Sequence, residues 1–535
     1  MTQLAVLLIL IPILTAIIIY LIPKERVNYL AILSQIAITI IAVVYYQHFT
    51  PNYDQTLFVF GNWDGRIGIS LSNDALSMSF VFLAIFTWWM IIIYTFSTKQ
   101  TNRIFLFFLL FLQGVFFGLI MTNDLFNMFV FLELATILIT ILIVFKKEAE
   151  SFRSGIYYLI VNTAGMLTFL VGVIILYFVF GTINIIVIGE MMGDYGDSIA
   201  VRFAYACLMA GVSVKAALFP VFTWLPKAHG VAQSAISALL SGLVVKAGLY
   251  LFIRINEMYS AAGYNYTTFF FVLGTLTAFG GVMFAVTQKD MKQILAYHTV
   301  SQVGIMMMGL SSRDPLIYYG GLLHIFNHAF FKSLLFLGAG IIIKVYRTKK
   351  VAEIRGVGKT MPWVSVMMII GMLSITGAPI FNGFISKSIL SVGFQSGTTQ
   401  YWLLYLVNIG TATSFIKMSQ IFFGVSPLSY PMARKRENFA LMGFGLMCVL
   451  AGNLAIPVSQ GFFGVDVSFV KIFQLSKFVD YIATLAMGYT LYSLVISKDL
   501  WVVRKIRDSR LSFGSANAVF LGLLVALVVY FSFLA

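Results

Sequence analysis

Residues 322–340 read LLHIFNHAFFKSLLFLGAG. Leu, Phe, Ile and Ala make the flanks apolar enough for lipid, yet His324, His328 and Lys332 are set into the run at four-residue intervals. On an α-helix that spacing places all three on one stripe. A hydrophobic helix with two imidazoles and an ammonium along one face needs a polar interior for that face.

The rest of the chain has the same character. Its 535 residues are 60% hydrophobic and 10% charged, with a mean hydropathy of +0.94. A soluble domain has nowhere to bury that much apolar surface, so the composition predicts an all-α polytopic membrane protein. Sixteen spans are expected, near 3–22, 28–46, 75–97, 103–122, 125–145, 155–179, 201–222, 232–254, 266–287, 293–311, 315–343, 362–392, 401–424, 438–458, 479–497 and 515–534. The first, within MTQLAVLLILIPILTAIIIYLIPKERV, has no basic leader and no small-residue cleavage site, and reads as a retained span. Cys207 and Cys448 lie in apolar runs and give no disulfide framework or metal spacing.

The net charge of +15 raises the question of nucleic acid, which its distribution answers. With span-end residues counted in their adjoining loops, the odd-numbered loops hold 24 Lys/Arg and 8 Asp/Glu, while the even loops and termini hold 6 and 11. This asymmetry places the odd loops in the cytoplasm and both termini outside; the expected location is a prokaryotic cytoplasmic membrane. The basic loops KVYRTKKVAEIRGVGK (344–359) and ARKREN (433–438) then serve topology and anionic lipid headgroups, and no nucleic-acid partner is expected.

No linker divides the chain, which reads as a single membrane domain. The alternating stretch TLFVFGNWDGRIGISLSNDALS (56–77) predicts an outer-face hairpin, and INIIVIGEMMG (183–193) is too short to span and predicts an interfacial segment. A faint repeat relates IYY at 156–158 to IYY at 317–319, and FPVF (219–222) to APIF (378–381). Pro220 and Pro379, with Gly377 and Gly383, are expected to break their spans in mid-membrane, a device common in duplicated transporters.

Six ionisable residues lie well inside spans: Glu133, Lys215, Lys246, Lys332, Lys387 and Lys417. Each costs ~2.5–3.5 kcal/mol at a helix centre on insertion scales, which argues against accident. Lys417 and, less readily, Lys246 are near enough to a span end to snorkel. For the other four the bland reading is a buried ion pair that holds helices together. The chemistry also suits proton passage: a buried lysine loses several pKa units and regains them beside a carboxylate, and histidine titrates near neutrality without help. His298 in AYHTVSQ, followed by His324, His328 and Lys332, would extend such a relay. A zinc site on the histidine pair lacks a carboxylate or thiol on that helix and is opposed by the adjacent cation, so no metal is expected.

On these residues the chain resembles the antiporter-like subunits shared by Mrp-type cation/proton antiporters, respiratory complex I and membrane-bound hydrogenases. NDLFNMFVFLE (to Glu133), KAALFPVFTWLPKAH (from Lys215), SALLSGLVVKAGLY (around Lys246), KDMKQILAYHTVSQVG, HIFNHAFFKSLLFLGAG and GAPIFNGFISK (to Lys387) carry the resemblance, in that order, over roughly residues 60–425. It implies a 14-helix core with two inverted five-helix repeats and broken helices 7 and 12. Residues 1–102 would form the N-terminal helices and hairpin, 103–254 the first repeat, 266–424 the second and 438–535 the C-terminal helices. By the same resemblance Glu133 and Lys215 are an interacting pair and Lys246 is the connecting lysine. His298, His324, His328 and Lys332 match the central axis, and Lys387 the terminal lysine of the second half. AYHTVSQ and Lys387 resemble the D-type Mrp subunit, whereas His229 in WLPKAH resembles the hydrogenase and complex I relatives. Gln233, where the family usually has proline, and Phe222, where many relatives have histidine, depart from the pattern.

The leading expectation is therefore the proton-translocating subunit of a multisubunit Na⁺/H⁺ antiporter, with other membrane subunits, protons and Na⁺ as partners. The alternative is the equivalent subunit of a complex I-type NADH:quinone oxidoreductase or a membrane-bound hydrogenase. A scaffold that keeps the fold without transport is the third reading, and the intact row of charges argues against it. No cysteine cluster, nucleotide fingerprint or quinone signature is present, so no cofactor and no catalytic site of its own are expected.

Overall fold

The computed structural model describes the chain except residues 1–2, 24–25, 50–55, 64–67, 97–102, 427–434, 469, 471–472, 510–512 and 534–535. The DG of the expected hairpin tip and residues 433–434 of the second basic loop fall outside the described residues. The helices follow the apolar runs. The first are α1 (Gln3–Leu21), α2 (Val27–Phe49), α3 (Ala75–Thr95), α4 (Arg103–Met121), α5 (Leu125–Val144), α6 (Ala149–Phe180), α7 (Ile185–Tyr195) and α8 (Ile199–Lys215). Next come α9 (Trp224–Val231), α10 (Ser234–Leu239), α11 (Val245–Met258), α12 (Thr267–Thr287), α13 (Met291–Leu310), α14 (Pro315–Tyr346), α15 (Val357–Thr360) and α16 (Pro362–Thr376). The last are α17 (Asn382–Gly393), α18 (Thr399–Ser419), α19 (Lys435–Asn453), α20 (Ala455–Phe463), α21 (Leu475–Leu491), α22 (Trp501–Asp508) and α23 (Phe513–Phe533). Short polar residues start many of them: the side chains of Asp124, Ser198, Asp290, Asp314 and Thr398 each accept from a backbone N–H of the first turn.

Each expected span contains helix, and 11 helices among the described residues are long and apolar enough to cross a membrane. The count of sixteen is therefore not established by length and hydropathy alone. The windows that fall short contain α8, α13, α16 with α17, α18 and α19. Two of these are the broken spans, and α13 carries His298, Ser301 and Gln302 in place of aliphatic residues. The hairpin is present, with β1 (Thr56–Val59) antiparallel to β2 (Ser70–Asn73) and Thr56 opposite Asn73.

The chain packs as two compact units. The first comprises residues 1–216, 245–266 and 513–535. Small residues let its helices approach: a Cβ on Gly165 or Gly211 would strike the facing helix of the α6–α8 pair. Buried polar groups pair locally, as Gln35 with Gln113 through both amide groups and Trp88 Nε1 with the Leu109 carbonyl at 3.0 Å. Arg254, at the end of α11, grips the Asp74 carboxylate with both Nη atoms at 2.7 Å.

The second unit comprises residues 217–244 and 267–512. Here α12 and α13 pack closely because Gly274, Gly281 and Gly304 leave no side chain between their backbones. The 32-residue α14 runs through its interior against α13, α16, α17 and α19, so residues 319–325 and 327–342 are buried. The stripe of His324, His328 and Lys332 thus lies against protein on neighbouring helices.

Candidate functional site

In the first unit Lys215 is the last residue of α8 and is 4% exposed. Its ammonium reaches α5, where it donates to Thr136 Oγ1 and, at 3.4 Å, to the Leu132 carbonyl. Glu133 is the next residue along α5, and its Oε2 accepts from Thr163 Oγ1 on α6 at 3.0 Å. The two charged groups are thus neighbours in electrostatic contact, but hydroxyls hold each of them and no direct ion pair forms. Glu133 Oε1 is buried without a hydrogen-bond partner. Lys246 is fully buried in the first turn of α11, just after a π-helical segment at Leu240–Val244. Gly248 lets this helix touch the backbone of Lys215 and Ala216, where any Cβ would collide.

The span that begins with α8 stops at Lys215. Residues 216–223, including Pro220, are non-helical, and Ala217 adopts φ 54°. The proline removes a donor and its ring cannot continue the helical ladder. Beyond this break α9 carries His229, whose ring stacks on Phe336 at 4.5 Å within the second unit.

In the second unit α16 ends at Thr376, Gly377 takes the left-handed cap (φ 83°), and α17 begins at Asn382. Pro379 lies in the gap, whereas Gly383 lies in the first turn of α17 against the Ser374 carbonyl. Lys387 Nζ donates to the Ile375 carbonyl at 2.6 Å. An ammonium at a helix C-terminus meets the negative end of the helix dipole and an orphan carbonyl together.

His298, His324, His328 and Lys332 are all fully buried. His324 Nδ1 is 2.8 Å from Ser386 Oγ on α17, and Nε2 is 3.1 Å from Gln302 Oε1 on α13. Because the glutamine oxygen only accepts, this arrangement puts the imidazole proton on Nε2 and lets Ser386 donate to Nδ1. Beside it Asn327 and Asn382 exchange amide-to-carbonyl hydrogen bonds between α14 and α17, at 2.9 and 3.2 Å. The His324 and His328 rings lie 6.4 Å apart. Lys332 Nζ donates to the Leu295 carbonyl on α13 at 2.6 Å, one turn before His298. His298 packs on Phe415 of α18 at 5.0 Å.

Lys417, the sixth charge within the spans, is half-buried; it turns toward the end of α12 and donates to the Val286 and Gln288 carbonyls at 2.5 and 2.6 Å. It therefore reaches out along its helix as a snorkelling lysine does. Sequence reasoning missed Thr136, Thr163, Gln302, Asn327, Asn382 and Ser386. The only signal was a small polar residue within an apolar helix.

Taken together, Lys332, Lys387 and Lys417 each rest on backbone carbonyls. Between α14 and α17 the His324 imidazole, the Ser386 hydroxyl and the Asn327 and Asn382 amides form a buried polar cluster. The fold and this buried row define a class of membrane subunit that carries ionisable groups through its interior. The chain belongs to the family described as NADH:quinone oxidoreductase/Mrp antiporter, transmembrane, which matches residues 122–414. It is 33% identical over 337 residues to the D-type Na(+)/H(+) antiporter subunit of Alkalihalophilus pseudofirmus, covering 62% of this chain and 68% of the relative. In fold it is similar to a chain of the archaeal membrane-bound sulfane sulfur reductase, a respiratory membrane complex (TM-score 0.81, 24% identity, 91% of this chain and 100% of that one). It is likewise similar to a chain of the Mrp complex from Dietzia sp. DQ12-45-1b (TM-score 0.73, 22% identity, 98% and 99%).

Proposed function

We infer that the chain is the proton-translocating subunit of a multisubunit Na⁺/H⁺ antiporter, in which protons pass along Glu133, Lys215, Lys246, His298, His324, His328, Lys332 and Lys387. The observation that carries this reading is how Lys215 and Lys387 are held, on hydroxyl and carbonyl oxygens. An ammonium stabilised by such dipoles sheds its proton more readily than one paired directly with a carboxylate. A strut would favour the opposite arrangement, with each buried cation closed by an anion.

Partner membrane subunits are part of the same reading. Glu133 is half-buried on a face of α5 and α6 that also exposes Phe126, Val130, Ile137, Ile160 and Leu167. A carboxylate on a lipid-facing flank is costly, and a neighbouring subunit would cover it. The name of the Alkalihalophilus relative supports Na⁺ as the coupling cation. The positive-inside asymmetry supports a cytoplasmic position for the odd loops, with anionic lipid at their basic residues.

The test is proton flux in everted vesicles that contain the whole complex, with assembly measured beside it. Alanine at Lys215 or Lys332 should abolish Na⁺-driven proton movement while the subunits still copurify. Unchanged flux in both variants would overturn the reading. Hydrophilic redox subunits among the copurifying chains would instead assign the protein to a redox-driven complex.

A further inference from the structure

The C-terminal part of the second unit builds a feature that the proposed relay does not use. A cavity of about 260 Å³ is lined by the end of α12, Lys417 of α18, and residues 492–507, among them Tyr492, Ser497, Asp499 and Arg507. Its wall is largely apolar, but Lys289, Lys417, Asp499 and Arg507 reach into it, and it has room for several waters. It lies beside loops 9 and 15, which the charge asymmetry assigns to the cytoplasm.

Three cations and one carboxylate face it. Asp499 adopts φ 45°, a left-handed conformation that aspartate tolerates better than most residues, and this turn presents its side chain to both neighbours. Its Oδ2 is 3.0 Å from Lys289 Nζ, and its Oδ1 is 2.7 Å from Arg507 Nη1. Lys417 is held by the two carbonyls that end α12. An anion site needs free donors, and here the two outer cations are already closed by Asp499. Water is the occupant that fits, because a lysine held by two acceptors keeps a third N–H for the cavity. Inward, His298 stands within electrostatic range of Lys417 and of Lys332 alike.

We propose that this cavity is the cytoplasmic mouth through which protons reach the buried axis of the second unit, with Lys417 as its inner relay group and Asp499 as a fixed negative charge at its rim. The proposal rests on the antiporter reading above. It gives the C-terminal helices a function: α22, anchored by Arg507 and by the buried Val503, forms the outer wall. Asp499 serves electrostatically and does not itself collect protons. Arg507 and Lys289 hydrogen-bond its carboxyl and bring its pKa down to about 2, so it stays ionised at working pH. It offsets the surrounding cations, and without it an approaching proton meets a larger positive potential.

Everted vesicles of the intact complex present this face to the medium. Lys417→Arg keeps donors for the two carbonyls but cannot release a proton at accessible pH. It should assemble normally and lose at least tenfold in proton flux. In Ser497→Cys, a bulky, membrane-impermeant cationic thiol reagent added to everted vesicles should block flux, and added to right-side-out vesicles should not. Labelled wild type is the control, since Cys207 and Cys448 are buried. Asp499→Asn should slow flux several-fold, and Lys289→Gln in the same chain should restore most of it by rebalancing the charge. Normal flux in Lys417→Arg, or reagent-insensitive flux in Ser497→Cys, overturns the mouth. Faster flux in Asp499→Asn makes the cluster a latch and overturns the role of Asp499. Lys332→Ala in the same preparation separates the two levels: if it is inactive while Lys417→Arg is normal, the mouth is wrong and the antiporter reading stands, and if it too transports normally, the reading beneath fails.

Discussion

Lys387 on α17 donates a 2.6 Å hydrogen bond to the carbonyl of Ile375, on the other side of the helix break in which Pro379 lies. The ammonium therefore sits on the orphaned C-terminal end of α16, where water and dipoles can stabilise it without a counter-ion. The geometry depends on Gly383, whose absent side chain lets α17 meet the Ser374 carbonyl.

Gly383→Ala should accordingly push α17 from α16. Overpacking of this kind costs about 1–3 kcal/mol. The expected result is a lower melting temperature of the purified complex together with reduced flux, because Lys387 moves with its helix. An unchanged melting curve would show that the two helices yield without strain.

The pair in the first unit gives a second prediction. Lys215→Ala and Glu133→Ala should each abolish Na⁺-coupled proton flux with assembly intact, and Glu133→Asp should keep part of it. Thr136→Val, which removes the hydroxyl that receives the Lys215 ammonium, should lower flux by roughly the tenfold that about 1.4 kcal/mol of lost hydrogen bonding represents. Full activity in the valine variant would mean that the Leu132 carbonyl alone suffices to hold the lysine.

How far the sequence foretold these arrangements depends on how local the cause is. The helices, the hairpin and the breaks near Pro220 and Pro379 follow from apolar runs, alternation and missing N–H groups within a few residues. The stripe of His324, His328 and Lys332 follows from helical spacing alone. The partners of those groups do not. Thr136 reads as an ordinary helix threonine that bonds its own Leu132 carbonyl, as it does at 2.7 Å, and nothing nearby in sequence announces that Lys215 arrives from 79 residues away. Asn327 and Asn382 meet only because α14 and α17 pack. The division into two units was illegible for the same reason, since it cuts through the stretch from α10 to α11.

A third prediction concerns stability at the end of α11. Burial raises the Asp74 carboxyl, but the two-pronged Arg254 and the Ser77 donors outweigh it and hold the carboxyl below the ordinary carboxylate range. A depressed folded-state pKa contributes stability above the unfolded value of about 3.9, and that contribution is lost as pH falls further, through the folded value. Asp74→Asn keeps the helix cap and leaves Arg254 with the Glu257 carboxylate alone, so it should cost about 1–3 kcal/mol, between the surface and buried limits for ion pairs. The loss in melting temperature should be constant from pH 6 to 8 and shrink below pH 4. A loss that persists undiminished at low pH would assign it to packing.

Lys332 offers the sharpest division between relay and support. It donates to a backbone carbonyl, that of Leu295, and its side chain passes over the Phe336 ring at 5.9 Å. If it relays protons, Lys332→Ala removes the one cation within the buried middle of α14 and should cut flux strongly. Lys332→Arg should not rescue it, because a guanidinium keeps its proton at any accessible pH. Single His324→Gln and His328→Gln changes should be milder, since water can bridge a missing imidazole. Of the two, His324→Gln should cost more, because His324 joins α14 to both Ser386 and Gln302. A structural strut predicts the reverse order: arginine would be tolerated, and alanine would fail at assembly before flux is measured. Side-by-side assembly and flux for these four variants therefore separate wire from strut, and normal flux in Lys332→Arg would exclude α14 from the proton route.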